Sequence, residues 1–349
     1  MIRDAAHFST PNATAELHGA LEHVLTQHYG HRVRIAQLDR RPSEYRSSFR
    51  LEELDVRLDD GTRLRLVWKD VGPGALSAEA TRAKPIFLWD PLREIETNRL
   101  VLAPCGGLGA PVCFGAIADP TIDRYWLFLE RVSGPALSQV GDFDVWQEAA
   151  RWLARLHNRL ASLPLALARS AHLLIHDRRH FELWIGRARE FLHQNESRRP
   201  AAELNRIDRL AERYDRVVAR LADLPVSLLH GDFFASNILI DQSGPTLRIS
   251  PVDWEMSAIG PRGIDLAALV AGHWTDDQRH SLAMAYFGEA AADIKNGGDA
   301  DAFLTGLQYC RLHLAVQMLG WSPAWQPHWS QAYDWLAEAI GLADELQIG

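Results

Sequence analysis

Cysteine and long apolar runs are both scarce in this chain. Its 349 residues include three cysteines, Cys105, Cys113 and Cys310, which are too few and too unevenly spaced for a disulfide framework or a zinc site. No uncharged apolar stretch is long enough to cross a bilayer, and the first residues lack the apolar core of a signal peptide. These absences predict a cytoplasmic protein with reduced thiols and no membrane partner.

Lysine is scarce as well, since only Lys69, Lys84 and Lys295 occur among 37 basic residues. The net charge is −8 and the arginines are scattered without a basic stripe, so we expect no nucleic-acid partner. The hydrophobic fraction of 47% and the charged fraction of 23% are ordinary for a globular protein. A chain of this length can bury one large core or two smaller ones.

The most informative stretch is LLHGDFFASNILID, residues 228–241, which is followed by VDWE at residues 252–255. Phosphoryl transfer needs a carboxylate that orients and deprotonates the attacking hydroxyl, and it needs oxygen ligands for Mg²⁺. Asp232 is the candidate base, and Asn237 and Asp253 are the candidate metal ligands. Short apolar strands after Asn237 and before Asp253 predict a hairpin that brings these side chains to one sheet edge.

A purely structural role for these residues is the alternative interpretation. Isolated His-Gly-Asp triplets and aspartates at strand ends are common, and most of them form turns or caps. The combined spacing, with an apolar strand beside each candidate ligand, is more restrictive and favours the catalytic interpretation.

The segment resembles the aminoglycoside phosphotransferase (APH) family, the small-molecule branch of the protein-kinase-like fold. That family has His-Gly-Asp-x-x-x-x-Asn in its loop, and its later aspartate, Gly-Pro turn and Asp-Leu-Ala are matched at Asp253, 260–261 and 265–267. The resemblance implies ATP and Mg²⁺ as cofactors. It also implies that His230 and Asp265 support the catalytic loop.

The fold implied by the resemblance is α+β and bilobal. A small antiparallel β-sheet lobe with a helix is expected over residues 1–132, including the hinge strand, and would bind ATP. A larger, mostly α-helical lobe is expected over residues 133–349 and would carry the catalytic loop and the acceptor site.

An upstream lysine should contact the nucleotide phosphates. Lys69 ends the strand RLRLVWK at residues 63–69, and alternation along a strand places Val67 on the same face as Lys69. By analogy with the Val-Ala-Ile-Lys strand of kinases, Lys69 would reach the α- and β-phosphates and Val67 would cover the adenine. A lysine that simply faces solvent is the ordinary alternative.

The next helix should supply a carboxylate partner for that lysine. Asp90 is its expected N-cap and Pro91 its first residue. Glu94 and Glu96 are about 200° apart on a helix, so only one can face the lysine. The Arg-Glu pair at 93–94 matches the family's helix and favours Glu94, which leaves Glu96 as a solvated charge.

The loop expected over the phosphates, DRRPSEYRSSFRL at residues 39–51, contains no glycine. Protein kinases use a Gly-x-Gly-x-x-Gly loop there, so that backbone amides can approach the phosphates. Ser47 and Ser48 are candidates to replace that motif, and ordinary turn serines are the equal alternative. In the family, adenine is bound by the main chain after the hinge strand, which corresponds to Glu130 to Val132; the side chains of Glu130 and Arg131 would be solvated.

The remaining sequence is helical in pattern. One helix is expected from Asp144, with Gln147 as its capping-box partner, and others over 177–193 and 200–222. Trp321, Trp325 and Trp329 recur at a spacing of four, which fits either the core of a helical subdomain or faces that stack on an acceptor.

The sequence does not select the acceptor. Its class is a small-molecule hydroxyl compound, such as an aminoglycoside-like antibiotic, a sugar, an amino alcohol or a nucleoside-like molecule. A non-catalytic nucleotide-binding scaffold is one alternative, although it would be expected to have lost a residue of the motif. A protein kinase is the other, although the chain has no Ala-Pro-Glu segment after Asp253 and no room for an activation loop before Gly260.

Overall fold

The computed structural model describes residues 11–43, 45, 48–106, 108–194, 200–290, 299–321 and 333–349. The first part of the chain forms a five-stranded antiparallel sheet in the order β1-β2-β3-β5-β4. Its strands are β1 (Ile35–Pro42), β2 (Arg50–Leu58), β3 (Arg63–Asp70), β4 (Cys113–Asp119) and β5 (Arg124–Glu130). The turn at Asp59–Gly61 joins β2 to β3.

The two faces of this sheet have different neighbours. Helix α1 (Pro11–Tyr29) covers one face, where Leu21 of the helix and Leu66 and Trp68 of β3 share an apolar core. The other face carries Lys69, whose strand neighbour on β5 is Leu127. Because side chains alternate along a strand, β3 packs against α1 with one face and presents Lys69 on the opposite one.

Short helices connect β3 to β4 on the side of Lys69. They are α2 (Ala78–Ala83), α3 (Pro91–Glu96) and α4 (Ala103–Cys105), with a π-helical turn at Thr97–Leu102 between the last two. Asp90 caps α3, since its carboxylate accepts a hydrogen bond from the backbone N–H of Leu92 at 2.9 Å. Ile95 of α3 packs against Leu127 and Leu129 of β5, which fixes the helix to the sheet.

The second part of the chain is mostly helical, as expected, and has one large core. Its helices are α5 (Phe143–Arg159), α6 (Leu165–Ser170), α7 (Arg178–Gln194), α8 (Ala201–Glu212), α9 (Tyr214–Ala222), α10 (Gly263–Leu269), α11 (Asp276–Glu289), α12 (Ala300–Leu319) and α13 (Trp335–Glu345). Helix α5 buries Ala150, Leu153 and Leu156 along one stripe, which the helical spacing of these residues predicts. Among the described residues, no helix is both long enough and apolar enough to span a bilayer.

Five short strands lie among these helices. β6 (Leu174–Ile175), β7 (Val226–Leu229) and β10 (Ala258–Pro261) form a small sheet with β10 in the centre. The hairpin of β8 (Ile238–Asp241) and β9 (Arg248–Pro251) lies between β7 and β10 in the sequence. The loops that leave β7 and β9 carry the candidate catalytic and metal-binding residues.

Two helix boundaries differ from the sequence prediction. The N-cap of α5 is Asp142, whose side chain accepts from the N–H of Asp144, so the prediction of Asp144 as the N-cap was wrong. Gln147 instead donates to the hydroxyl of Ser281 at 2.7 Å. The helix expected over 200–222 is two helices, because the backbone leaves helical geometry at Arg213 (φ −112°, ψ 8°).

Candidate active site

The loop between β7 and β8 brings Asp232 and Asn237 into contact. The strand β7 is buried from Ser227 to Leu229, and a 3₁₀ turn ends at Asn237 immediately before β8. The Nδ2 atom of Asn237 donates to Oδ2 of Asp232 at 2.8 Å and to its main-chain oxygen at 3.0 Å. Because these bonds use the amide nitrogen, the amide oxygen of Asn237 is the atom that could bind a metal.

Asp265, near the start of α10, holds this loop from the protein interior. Its Oδ2 accepts from the backbone N–H of His230 at 2.7 Å, and its Oδ1 accepts from that of Gly231 at 2.9 Å. Nε2 of His157 donates to the same carboxylate at 3.3 Å, while Nδ1 of His157 lies 2.8 Å from the hydroxyl of Tyr286. His157, His230 and Asp265 are all fully buried, so this network is isolated from solvent.

The imidazole of His230 links the catalytic loop to the end of β9. Its Nε2 donates to the carbonyl oxygen of Val252 at 3.0 Å, and its Nδ1 accepts from the backbone N–H of Asp232 at 3.3 Å. Burial lowers the pKa of His230, which agrees with a neutral ring that donates on one side and accepts on the other. His230 therefore contacts the backbone at Asp232 and the residue before Asp253.

Lys69, Glu94 and Asp253 form a buried ionic cluster above this loop. Nζ of Lys69 lies 2.6 Å from Oε2 of Glu94 and also pairs with Oδ1 of Asp253. The side chains of Lys69 and Glu94 are only 4% and 2% exposed. Asp253 has a left-handed backbone (φ 68°, ψ 60°), a conformation that is unfavourable for a residue with a Cβ and is retained where the surrounding structure imposes it.

The charges in the cluster shift one another's pKa values. Burial opposes the ammonium form of Lys69, but Asp253 and Glu94 raise its pKa overall. Burial likewise opposes the carboxylate of Asp253, yet Lys69 holds the pKa of Asp253 below its ordinary value. Asp232 has no such cation in contact, so burial, with Asp253 and Glu255, raises its pKa to about 7.

A second lysine in the cleft was not predicted. The ammonium of Lys84, which follows α2, pairs with Oε2 of Glu255, and both side chains are largely buried, at 8% and 13% exposed. The hydroxyl of Ser48 donates to Oε1 of the same glutamate at 3.3 Å. The scarcity of lysine in the chain and the position of Glu255 two residues after Asp253 were the signals that could have indicated this pair.

Arg93 is another site residue that the sequence did not predict. Its buried guanidinium donates to the carbonyl oxygens of Leu88 at 2.7 Å, His172 at 2.8 Å and Glu255 at 2.9 Å. Helix α3 is thereby attached directly to the segment that carries Asp253. The expected solvated charge at Glu96 is not observed, because that side chain is 9% exposed and pairs with Arg99 at 2.9 Å.

The side chains of the hinge are paired rather than solvated. The carboxylate of Glu130 binds Arg248 of β9 at 2.7 Å and accepts from the backbone N–H of Val112 at 3.0 Å. Arg131 folds back onto β2, where it binds Glu53 at 3.0 Å and Asp55 at 2.8 Å. The prediction that these two side chains are solvated was therefore wrong, while their main chain still follows β5.

A small apolar cluster lies between the hinge and the metal-ligand candidates. Val132 packs with Ala136, with Leu239 of β8 and with Val252, the residue before Asp253. Val67 is half-buried on β3 and is paired with Leu129 of β5, next to this region. These side chains offer apolar surface to a flat heterocycle beside the ionic cluster.

The predicted serines and tryptophans have different outcomes. Ser47, Trp325 and Trp329 lie outside the described residues. Ser48 is described, and its hydroxyl contacts Glu255. Trp321 stacks on the buried Trp184 of α7, with ring centroids 5.8 Å apart and planes at 2°, so this ring packs against the helical core.

The oxygen atoms at this site suit Mg²⁺. The carboxylate of Asp253 and the amide oxygen of Asn237 are hard donors of the kind that Mg²⁺ takes, and this ion commonly binds through one or two carboxylates with substrate phosphates and water. Among the described residues, no group of three or more histidine, cysteine, aspartate or glutamate side chains is arranged to hold a metal. A magnesium ion here would therefore complete its coordination with nucleotide phosphates and water.

The model of the phosphotransferase enzyme family (APH) matches residues 60–303 of this chain. Among solved structures, the GDP complex of aminoglycoside 2′-phosphotransferase-IIIa F108L is similar with a TM-score of 0.56 at 18% identity, covering 95% of this chain and 97% of that chain. A microcompartment-associated aminopropanol kinase has a TM-score of 0.56 at 16% identity, with 88% and 90% covered.

A Plasmodium vivax ethanolamine kinase has a TM-score of 0.54 at 14% identity, with 98% of this chain and 95% of that chain covered. No curated protein matches the sequence. At these identities, the structural similarities show the fold, and they confirm the expected α+β, bilobal, protein-kinase-like architecture.

Proposed function

Because the chain belongs to the phosphotransferase enzyme family (APH), we propose that it transfers the γ-phosphate of ATP, in the presence of Mg²⁺, to a hydroxyl group of a small molecule. One observation carries this proposal. Asp232 contacts Asn237, and Lys69 contacts both Glu94 and Asp253, although Lys69 and Asp253 are 184 residues apart in the sequence. These side chains supply the base, the metal ligands and the phosphate-binding cation that the reaction requires.

Asp232 would act on the acceptor. Its carboxylate is oriented by the amide of Asn237, and it would accept a hydrogen bond from the acceptor hydroxyl and then its proton. A pKa near 7 is favourable for a general base that works close to neutral pH, because the group is partly ionised there and still basic. The network of Asp265 and His230 would keep the loop backbone in place during this step.

Lys69 would bind the α- and β-phosphates. Glu94 holds its ammonium from the side of α3, so the lysine stays directed into the cleft when Asp253 turns to a metal. Mg²⁺, when bound at Asn237 and Asp253, would neutralise charge on the β- and γ-phosphate oxygens. We propose residues 1–132 as the nucleotide-binding lobe and 133–349 as the lobe that carries catalysis and acceptor binding.

The adenine would lie between Val67 and the apolar cluster under the hinge. Leu239 and Val252 would contact one face of the ring, and the main chain from Glu130 to Val132 would bind its edge. Paired side chains support this use of the main chain, because Glu130 and Arg131 are held away by Arg248 and by the β2 carboxylates. Ser48 remains a candidate for the phosphate-covering loop.

The acceptor class is proposed from the comparisons. Similar structures include phosphotransferases whose names give an aminoglycoside, a macrolide, aminopropanol and ethanolamine. Each of these names denotes a hydroxyl compound of low molecular mass. We propose an acceptor of that class, with sugars, amino alcohols, antibiotics and nucleosides as the compounds to screen.

The proposal is tested first by nucleotide turnover. The purified chain is supplied with ATP, Mg²⁺ and a panel of these acceptors, and acceptor-dependent ADP release is measured together with the phosphorylated product by mass spectrometry. Asp232→Asn should then lower turnover of the best acceptor by about 10²- to 10⁴-fold, because it removes the base. Its affinity for Mg²⁺ and nucleotide should remain measurable by calorimetry.

The matched control is Asp215→Asn, which removes one carboxylate from an exposed position on α9. Its turnover should equal that of the wild type. Turnover of Asp232→Asn close to the wild-type rate would remove Asp232 from the mechanism. Absence of any Mg²⁺-dependent nucleotide binding in the wild type would contradict the proposed function as a whole.

A further inference from the structure

The loop from Asp232 to Asn237 contains no basic side chain, since residues 233–236 are Phe-Phe-Ala-Ser. Phosphoryl transfer nevertheless spreads negative charge over the three oxygens of the phosphoryl group in flight. A cation fixed near those oxygens stabilises that charge strongly in a site shielded from water. The catalytic loop of this chain therefore depends on another element for such a cation.

The linker between β3 and α3 provides one. Lys84 follows the short helix α2, and its side chain is 8% exposed. Lysine is rarely buried unless it is paired, and here its ammonium pairs with Glu255. The linker thus places one of the chain's three lysines beside the segment that begins with Asp253.

Lys84 lies beside the segment of the proposed metal ligand. Its ammonium pairs with Glu255, which follows Asp253 by two residues. Lys69, in contrast, is held by direct contacts to Glu94 and Asp253. The terminal phosphate has to lie between a metal ligand and the base, and Lys84 is held two residues from that metal ligand by Glu255.

A further contact supports a shared function of the two lysines. Both ammonium groups lie over the ring of Phe49, with Lys69 at 5.6 Å and Lys84 at 5.2 Å from its centroid. Phe49 lies near the end of the loop expected over the phosphates, directly before β2. The hydroxyl of its neighbour Ser48 donates to Glu255. One aromatic ring therefore lies within 6 Å of both ammonium groups.

We propose that Lys84 is a second phosphate-binding cation, which contacts the terminal phosphate of the nucleotide while Lys69 contacts the α- and β-phosphates. This inference rests on the proposed function. Glu255 is then a positioning residue: it holds Lys84 in the cleft and releases it to the stronger anionic partner when the nucleotide binds. Arg93 fixes the backbone of Glu255, so the position of Lys84 is set by α3 as well.

The test compares nucleotides that differ in the terminal phosphate. Dissociation constants are measured by calorimetry with Mg²⁺ for ADP and for a non-hydrolysable ATP analogue. If the wild type binds guanine nucleotides more tightly, GDP and a non-hydrolysable GTP analogue are used instead. Lys84→Met should weaken the triphosphate analogue by at least about tenfold and leave ADP almost unchanged, because one charge-assisted contact is lost from one phosphate. Lys69→Met should weaken both nucleotides.

Two controls make the result specific. Arg82→Met removes a positive charge from an exposed position on α2 and should change neither constant. Lys84→Met leaves Glu255 without its cation, so a double variant, Lys84→Met with Glu255→Gln, is also made and compared with Glu255→Gln alone. If Lys84→Met does not fold, this second comparison replaces it as the test.

Equal weakening of both nucleotides by Lys84→Met, or no weakening of either, would overturn the role of Lys84 while leaving the proposed function in place. The role of Lys84 would also be overturned if the double variant, compared with Glu255→Gln alone, weakened both nucleotides equally or weakened neither. A wild-type chain that binds neither nucleotide with Mg²⁺ would overturn the proposed function, and this inference would fall with it.

Discussion

Gly231, between His230 and Asp232, shows how a single residue shapes the catalytic loop. Its φ is +80°, and a Cβ built on it would lie 2.0 Å from the carbonyl oxygen of Met256. A real Cβ cannot approach a carbonyl oxygen so closely, so any other residue would displace either this loop or the segment after Asp253. The small residue in the His-Gly-Asp triplet therefore has a steric cause in the packing of two loops.

Replacing Gly231 with alanine should consequently destabilise the protein by more than the backbone conformation alone requires. We expect a loss of about 2–4 kcal/mol, since the clash adds to the cost of about 1 kcal/mol or more for an L-residue at positive φ. The measurement is the free energy of unfolding from urea titration, together with turnover.

Gly61→Ala is the matched control for this prediction. Gly61 has a similar φ of +88° in the β2–β3 turn, but nothing lies within 4 Å of a Cβ placed there. It should lose only the backbone cost. If both variants lose the same free energy, the contact with Met256 is not the reason for glycine in the catalytic loop.

The site residues differ in how far the sequence could predict them. Strand alternation gave the face of Lys69, and helix geometry allowed only one of Glu94 and Glu96 to face it. The resemblance to a family then selected Glu94, whose side chain the structure brings within 2.6 Å of Lys69. The pair of Lys84 and Glu255 joins positions 171 residues apart. No local rule connects those positions, because their contact exists only after the linker between β3 and α3 packs against the segment that begins with Asp253.

Helix α3 is the element on which the cluster depends most directly. It supplies Glu94 to Lys69, and through Arg93 it is hydrogen-bonded to the main chain of Glu255 and His172. An outward movement of α3 would break both connections at once. The fold therefore holds the Lys69–Glu94 pair and the segment of Asp253 together as one unit.

Arg93→Lys tests this coupling at the level of the element. A lysine keeps the positive charge but cannot reach three separate carbonyl oxygens in the fixed fork of a guanidinium. We expect a loss of at least about 2 kcal/mol in unfolding free energy, because buried acceptors are left without donors. The stabilisation of the protein by Mg²⁺ and nucleotide, read as a shift in Tm, should also shrink.

The comparison variant is Arg99→Lys, in the π-helical turn that follows α3. Arg99 pairs with Glu96 but is 62% exposed, so the change should alter stability by less than about 0.5 kcal/mol. A stability and nucleotide response of Arg93→Lys equal to that of Arg99→Lys would show that Arg93 does not connect the two segments.

Element boundaries were predicted less well than element types. The helix α5 has aspartates at both 142 and 144, and each could serve as an N-cap by composition. In the structure the chain becomes helical at Phe143, which makes Asp142 the N-cap. The break at Arg213 is similar, because the helical pattern runs through it although the backbone leaves helical geometry there.

For the whole molecule, periodicity predicted individual elements. Alternation with a period of two predicts strands such as β3, and helical spacing predicts long helices in the second part of the chain. The relation between the parts was accessible only through the resemblance to a family, since periodicity carries no information about which elements meet. The packing of α7 against α12 illustrates this, as it creates a histidine cluster that no spacing indicates.

That cluster consists of His176 after β6, His180 on α7 and His313 on α12. The rings of His176 and His180 are stacked with centroids 3.9 Å apart, and His313 lies 6.1 Å from His180. The indole N–H of Trp184 donates to Nε2 of His180 at 3.1 Å, so that nitrogen carries no proton. Burial lowers the pKa of His180 to about 4, with Asp177 opposing, and lowers those of His176 and His313 well below the ordinary value.

The sign of the pH effect follows from these shifts. Between about pH 6.5 and pH 4 the unfolded chain binds protons at histidines that the folded chain keeps neutral, so acid favours unfolding. Stability should be retained above pH 6.5 and should fall as pH decreases, by about 1.4 kcal/mol per pH unit for each such histidine well below pH 6.5.

His180→Gln isolates one of these contributions, because glutamine can still accept from Trp184 but does not titrate. Between pH 7 and pH 5, the wild type should lose about 2 kcal/mol more unfolding free energy than the variant, as a histidine with a folded pKa near 4 requires. Urea titrations at both pH values measure this difference, and no difference is expected between pH 8 and pH 7.5. Equal losses in the two proteins between pH 7 and pH 5 would mean that His180 is protonated as readily in the folded chain as in the unfolded one, and the acid sensitivity of the helical core would then have another source.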